Sequence, residues 1–136
     1  MFYVMRHFDR YENPSFFTTL TPDGMRRAGA LFVPGVERIV CSPFVRCIQS
    51  VETFARENNV PINIACALGE YIDSDAHGIP LETAEAMRTR VLKFLKSDAA
   101  SRGVRRTLYV THESVAKVMV PGATSISVGE LLSVKT

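Results

Sequence analysis

Apolar residues fall in short blocks along the chain, and the spacing within each block separates strands from helices. Phe2 to Met5 is a compact apolar run, the pattern of a parallel strand buried on both faces. A polar loop through Asp9, Glu12, Asn13, Pro14 and Ser15 follows. Leu20-Thr21-Pro22-Asp23-Gly24 then reads as a helix start, with Thr21 as N-cap and Pro22 at the first helical position. Met25, Ala28 and Leu31-Phe32 recur at helical spacing and predict that helix's buried stripe. A second strand is expected at Arg38-Ile39-Val40-Cys41. It stops at Ser42-Pro43, again a cap residue followed by proline, and the next helix presents Phe44, Ile48, Val51 and Phe54-Ala55 before ending near Asn58-Asn59. Pro61 to Ala65 alternates and predicts a third strand. Between Gly69 and Pro80 lies a polar loop with Asp73, Asp75, His77 and Gly78, and the following helix carries Ala84, Met87, Val91 and Phe94-Leu95. Thr107 to Val110 reads as a fourth strand leading to Thr111-His112. The tail holds a helical stretch from Ser114 to Val120, a break at Pro121-Gly122 and an expected last strand from Thr124 to Val128.

Strands alternating with amphipathic helices imply βαβ units and a three-layer α/β/α arrangement around a mainly parallel sheet. The 136 residues suit one domain spanning 1–136, with enough surface to bury for a core of its own. Ligand sites in such folds lie beyond the carboxyl ends of the strands. The residues expected there are Arg6-His7, Ser42-Pro43 with Arg46, Glu70 and His112. Phe44, Ile48 and Val51 mark the buried face of their helix, which turns Arg46 toward the strand ends.

Composition narrows the function. Apolar residues make up 46% and charged residues 22%, ordinary values for a globular chain. The net charge of +2 is small, and Arg26-Arg27, Arg88, Arg90 and Arg105-Arg106 are scattered among acids, so no nucleic-acid partner is expected. No apolar run approaches the ~20 residues that span a bilayer, which argues against a membrane. Met1 to Val4 runs directly into Arg6-His7, leaving no room for a signal peptide's apolar region. Cys41, Cys47 and Cys66 sit among apolar neighbours and are expected to be buried free thiols in a reducing, cytoplasmic setting. No metal-ligand spacing is present, and neither metal nor cofactor is expected.

A phosphate monoester dianion needs permanent positive charge and forked donors, which Arg6 and Arg46 would supply. The helix opening at Ser42-Pro43 could add backbone N–H groups. A neutral imidazole can attack phosphorus, and a second histidine can stabilise developing charge. Glu70 is placed to protonate a leaving oxygen, although Asp73 and Asp75 lie close enough in sequence to serve instead.

These residues stand in motifs. Met5-Arg6-His7 resembles the R-H-G of the histidine phosphatase, or phosphoglycerate-mutase-like, superfamily, and Leu20-Thr21-Pro22-Asp23-Gly24 its L-T-x-x-G. Ser42 to Ser50 resembles S-P-x-x-R-x-x-Q-T, Leu68-Gly69-Glu70 resembles L-x-E, and Val110-Thr111-His112 resembles V-T-H-G. The five lie in the family's order and span almost the whole chain. The resemblance implies the phosphoglycerate-mutase-like fold with a minimal cap, and a metal-independent phosphomonoesterase that forms a phosphohistidine on His7. Arg6, Arg46 and His112 would complete the phosphate pocket, and Glu70 would be proton donor and later base. Arg6 to Arg10 and Ser42 to Gln49 look similar to the eukaryotic branch that holds ecdysteroid-phosphate and T-cell-signalling phosphatases. That branch carries R-H-G-E-R, so Arg10 would be a further phosphate contact, or else a solvated loop residue. Ser42 could equally be a helix cap or a ligand contact, and His77 reads as a loop histidine.

Two positions depart from the pattern. Phe8 and Glu113 replace glycines that follow the two histidines. Phe8 could pack away from the pocket or narrow it, and Glu113 could repel a phosphate dianion. A catalytically silent phospho-ligand binder or scaffold is therefore the alternative to a phosphatase acting on a small-molecule or phosphoprotein ester. A phosphoglycerate-type mutase is third, because the stretch from Glu70 to Ala84 is short for a closing lid. Phe16-Phe17 leaves a homodimer contact open.

Overall fold

The first strand, β1 (Phe2–Arg6), is followed by α1 (Pro22–Gly29), β2 (Arg38–Cys41), α2 (Val45–Glu57) and β3 (Ile62–Ile64). A short 3-10 turn at Cys66–Leu68 leads on to α3 (Ala84–Arg102), β4 (Thr107–Thr111), α4 (Glu113–Met119) and β5 (Leu131–Val134). This is a computed structural model describing residues 1–12, 14–72 and 81–136. Asn13, Asp73, Asp75, His77, Gly78 and Pro80 lie outside the described residues.

The sheet order is β3-β2-β4-β1-β5, with β3, β2, β4 and β1 parallel and β5 antiparallel at the edge. Side chains alternate across it and build two cores. Met5, Ile39, Cys41, Leu108 and Val110 pack with Ala28 of α1 and Val51 and Phe54 of α2. Phe2, Val4, Val40 and Tyr109 pack with Met87 and Val91 of α3 and Val115 and Met119 of α4. Helices therefore cover both faces, as the alternation of elements requires.

Register explains the meeting of the two histidines. Arg6 pairs with Thr111 across the parallel β1–β4 ladder, so His7 and His112 leave the sheet side by side. His7 N–H donates to the Thr111 carbonyl at 3.1 Å, and Ser42 N–H donates to the Val110 carbonyl at 2.9 Å. Three chain segments thus leave neighbouring strands at one level.

Several expectations are corrected. Thr124 to Val128 is not a strand, and the edge strand lies further on, at Leu131–Val134. Ile126 is fully buried instead, its N–H held by Glu113 and its carbonyl by Arg6. The α2 helix begins at Val45 with Phe44 as N-cap, not at Ser42-Pro43. Thr21 caps α1 as expected, its Oγ1 accepting from Gly24 N–H at 3.1 Å, but Gly24 and Ala28 form its buried side while Met25 and Phe32 are exposed. The third strand is limited to Ile62–Ile64 at the sheet edge, with Ile64 exposed. Cys41 and Cys47 are buried free thiols, whereas Cys66 is exposed. Among the described residues, no helix is long and apolar enough to cross a membrane.

Candidate active site

At the carboxyl ends of β1 and β4, the rings of His7 and His112 lie edge to face with centroids 5.5 Å apart. Both are almost completely buried. His7 Nδ1 is 2.8 Å from the Phe8 carbonyl. A carbonyl only accepts, so Nδ1 carries the proton and the lone pair sits on Nε2. Burial, opposed by that hydrogen bond and reinforced by the charges of Arg46, Arg6 and Arg10, lowers the His7 pKa to about 3. The ring is a neutral imidazole with a defined tautomer.

His112 Nε2 lies 2.9 Å from Ser42 Oγ and 3.5 Å from Cys47 Sγ, and its Nδ1 lies 3.6 Å from Glu70 Oε2. Ser42 Oγ also accepts from Phe44 N–H at 3.2 Å, so Ser42 orders the β2–α2 connection and the imidazole together.

Arg46 is fully buried in the first turn of α2. Its guanidinium donates to the Ser15 carbonyl at 2.8 Å, stands over the Phe44 ring, and lies 3.5 Å from Glu70 Oε2. Arg6 donates to the Ile126 carbonyl at 2.8 Å and lies 3.9 Å from Glu113 Oε2. The Nε–H groups of both arginines are buried without a hydrogen-bond partner among the described residues. A buried donor left so costs on the order of 1–3 kcal/mol unless an acceptor reaches it.

Glu70 follows the 3-10 turn rather than β3 directly. Burial raises its pKa above the ordinary carboxylate value, against the Tyr71 N–H bond and the charges of Arg46, Arg10 and Arg6. Its Oε1 accepts from Tyr71 N–H at 2.9 Å. The loop carrying it is clamped by Arg90 of α3, which donates to the Ala67, Gly69 and Glu70 carbonyls and to the Glu82 carboxylate.

The structure therefore brings together Arg6, His7, Arg46, Glu70 and His112, with Ser42 behind His112. Arg10 stands outside this group; its guanidinium donates to the Tyr11 carbonyl at 2.9 Å, and its charge reaches His7, Arg46 and Glu70. Several of the backbone N–H groups expected to form a cradle at Ser42-Pro43 are engaged within the protein. Phe44 N–H goes to Ser42, Val45 N–H to the Phe16 carbonyl, and Cys47 and Ile48 N–H to the Phe44 carbonyl.

Phe8 turns away from the histidines into the core, where its ring lies under the Arg27 guanidinium, 5.1 Å away. Its N–H donates to Ser50 Oγ, which in turn donates to the Arg46 carbonyl, tying the loop after His7 to α2. Ser15, Arg90 and Ile126 escaped the sequence reading because each acts through backbone carbonyls or at long range. Only Gln49-Ser50, inside the motif that contains Arg46, carried a signal. Gln49 Oε1 accepts from Leu20 N–H at 2.8 Å and links two of the motifs.

No protein-family model matches the sequence, and no curated protein matches it. Solved structures do. YhfR from Bacillus stearothermophilus superposes with a TM-score of 0.80 at 17% identity, over 98% of this chain and 91% of that one. The α-ribazole phosphatase of Shigella flexneri gives a TM-score of 0.73 at 19% identity, over 85% and 75%. A mycobacterial glucosyl-3-phosphoglycerate phosphatase, solved with inorganic phosphate, gives 0.67 at 15% identity, over 87% and 75%. At these identities the likeness establishes the fold, which is phosphoglycerate-mutase-like.

Proposed function

We propose that the chain is a metal-independent phosphomonoesterase working through a phosphohistidine on His7, in a single catalytic domain of the histidine phosphatase superfamily. The observation that carries this reading is the His7 tautomer. The Phe8 carbonyl fixes the proton on Nδ1, and burial among three arginines keeps Nε2 unprotonated. A nucleophile is thereby ready in a cationic setting that favours a phosphate dianion.

In the first step the Nε2 lone pair forms a bond to phosphorus and the ester P–O bond breaks. The protonated Glu70 carboxyl delivers its proton to the departing oxygen. In the second, the Glu70 carboxylate takes a proton from water as that oxygen attacks phosphorus. The P–N bond breaks, releasing inorganic phosphate and restoring neutral His7 and protonated Glu70. Arg6, Arg46 and His112 stabilise the charge that moves onto the transferring oxygens, and Arg10 adds long-range positive potential. Ser42 Oγ hydrogen-bonds His112 Nε2 and so orients the imidazole, whose Nδ1 lies beside Glu70.

The two glycine replacements that favour a silent binder each have a structural duty. Phe8 is a core residue, and Glu113 holds Ile126 N–H at 2.8 Å while facing Arg6. The catalytic reading is therefore preferred. Placement near the eukaryotic ecdysteroid-phosphate branch rests on the Arg6–Arg10 and Ser42–Gln49 segments alone.

The direct test is p-nitrophenyl phosphate hydrolysis in EDTA at mildly acidic pH. Turnover lost at least about 1,000-fold in His7→Ala is expected. Full activity in His7→Ala, or its abolition by EDTA in the parent protein, would contradict the mechanism.

A further inference from the structure

Glu70 faces two ways. Its Oε2 lies by Arg46 and His112, and the same side chain forms part of the wall of a cleft of about 410 Å³. The other walls are largely apolar, supplied by Phe16, Phe44, Pro43, Ile72 and Leu81. Phe44 stands between the two spaces, its ring packed 4.7 Å from His112 on one side and 4.9 Å from Phe16 on the other. Glu70 is the site residue that the cleft's described lining shares with the phosphate pocket, so a substrate whose ester oxygen met Glu70 would extend along this wall. Another hollow, of about 440 Å³ between the end of α2 and β3, is lined by none of the site residues among the described residues.

Charge decides what the cleft accepts. Among the described residues that line it, Arg90 is the one cation. Its Nε and one terminal nitrogen donate to the Glu82 carboxylate at 3.0 and 2.6 Å, and its terminal nitrogens also serve the Ala67, Gly69 and Glu70 carbonyls. Its donors are committed to the protein. A carboxylate or second phosphate on the leaving group would lose hydration there, gain no uncommitted cation among the described lining residues, and face Glu82. An uncharged planar ring would instead meet aromatic and aliphatic surface.

We infer that the cleft is the leaving-group subsite and selects uncharged aryl alcohols, so that the substrates are aryl phosphomonoesters rather than esters bearing a second anion. The assignment rests on the phosphatase reading for its role, while aryl binding can be measured without turnover. The experiment titrates 2-naphthol into the protein, follows intrinsic fluorescence or amide chemical shifts, and repeats the titration with Leu81→Glu and Phe16→Ala. Leu81 is 60% exposed, so its replacement leaves the core intact. Both variants should weaken 2-naphthol about tenfold. In Leu81→Glu, orthovanadate affinity should be unchanged, and 2-naphthyl phosphate should exceed 3-phosphoglycerate in kcat/KM at least about 100-fold for the parent protein. Absence of 2-naphthol binding, binding indifferent to both substitutions, or equal turnover of the two esters would overturn the assignment. Cleft-dependent 2-naphthol binding with no turnover of either ester would support the aryl site and remove the phosphatase reading.

Discussion

His7 is costly to protonate where it stands, and that has consequences for both rate and stability. In the folded protein it stays neutral down to about pH 3, whereas the unfolded chain takes up a proton near the ordinary value of 6.5. Between those pH values the unfolded state binds more protons, so this contribution is complete above 6.5 and drains away as pH falls toward 3. The loss is on the order of a few kcal/mol. Urea midpoints measured from pH 7 to pH 4 should fall less steeply in His7→Ala than in the parent; equal slopes would contradict the buried neutral ring. Glu70 sets the other limit. Its raised pKa keeps the acid form populated in mild acid, so kcat/KM should decline as pH rises past the ordinary carboxylate range. Glu70→Gln should lower kcat roughly 100-fold or more on phenyl phosphate and flatten that decline. An unaltered pH profile in the variant would assign the proton to another group.

Among the elements, the segment after α4 does more than end the sheet. Arg6 N–H donates to the Glu130 carbonyl, Gly129 N–H lies 3.1 and 2.8 Å from the Arg6 and His7 carbonyls, and the Arg6 side chain reaches the Ile126 carbonyl. Together they hold the backbone of the residues that carry the chemistry. Gly129 has φ +75°, and a Cβ there would stand 2.6 Å from Phe8 ring atoms. Gly129→Ala should therefore cost about 1–3 kcal/mol and lower kcat by displacing His7. Thermal and kinetic measurements on one preparation would check both, and unchanged values would show that this contact yields easily. The α1 side has a comparable fit, since a Cβ on Gly24 would lie 2.2 Å from the Asp9 carbonyl oxygen. That close approach gives a physical reason for glycine in the Leu20–Gly24 motif.

Across the whole molecule, the two cores are pinned at some distance from the site by a buried polar group. Arg38 at the start of β2 makes paired hydrogen bonds of 2.8 and 2.6 Å to Asp98 of α3, which also accepts from Tyr109 of β4 at 2.5 Å. Asp98→Ala would leave Arg38 without its counter-charge and should lose about 3–5 kcal/mol in denaturant unfolding. Because Arg38 lies at the opposite end of β2 from Ser42, kcat should be unchanged. A large kinetic effect would show that this network reaches the site.

The parallel strands and the main helices were legible because they are apolar, regularly spaced and punctuated by proline or cap residues. The residues at the strand ends were legible because the parallel topology fixes where such ends go. β5 was not. Thr124 to Val128 alternates like a strand, yet Glu113 and Arg6 satisfy the Ile126 backbone, and the turn at Gly129 passes the antiparallel pairing to Leu131–Val134. The α2 helix starts at Val45 without a side-chain cap, and the Ser42 hydroxyl, three residues before it, bonds Phe44 N–H and His112. Phe8 could be read either way until the Arg27 and Gly129 surroundings of its ring were known.

A bond between phosphorus and His7 can be trapped chemically. The protein would be mixed with 2-naphthyl phosphate, quenched in alkali within the first turnover, and digested for mass spectrometry. One phosphoryl group on the peptide containing His7, lost on mild acid treatment and absent from His7→Ala, is the expected result. Steady release of phosphate with no adduct on His7, or an adduct on another residue, would contradict it.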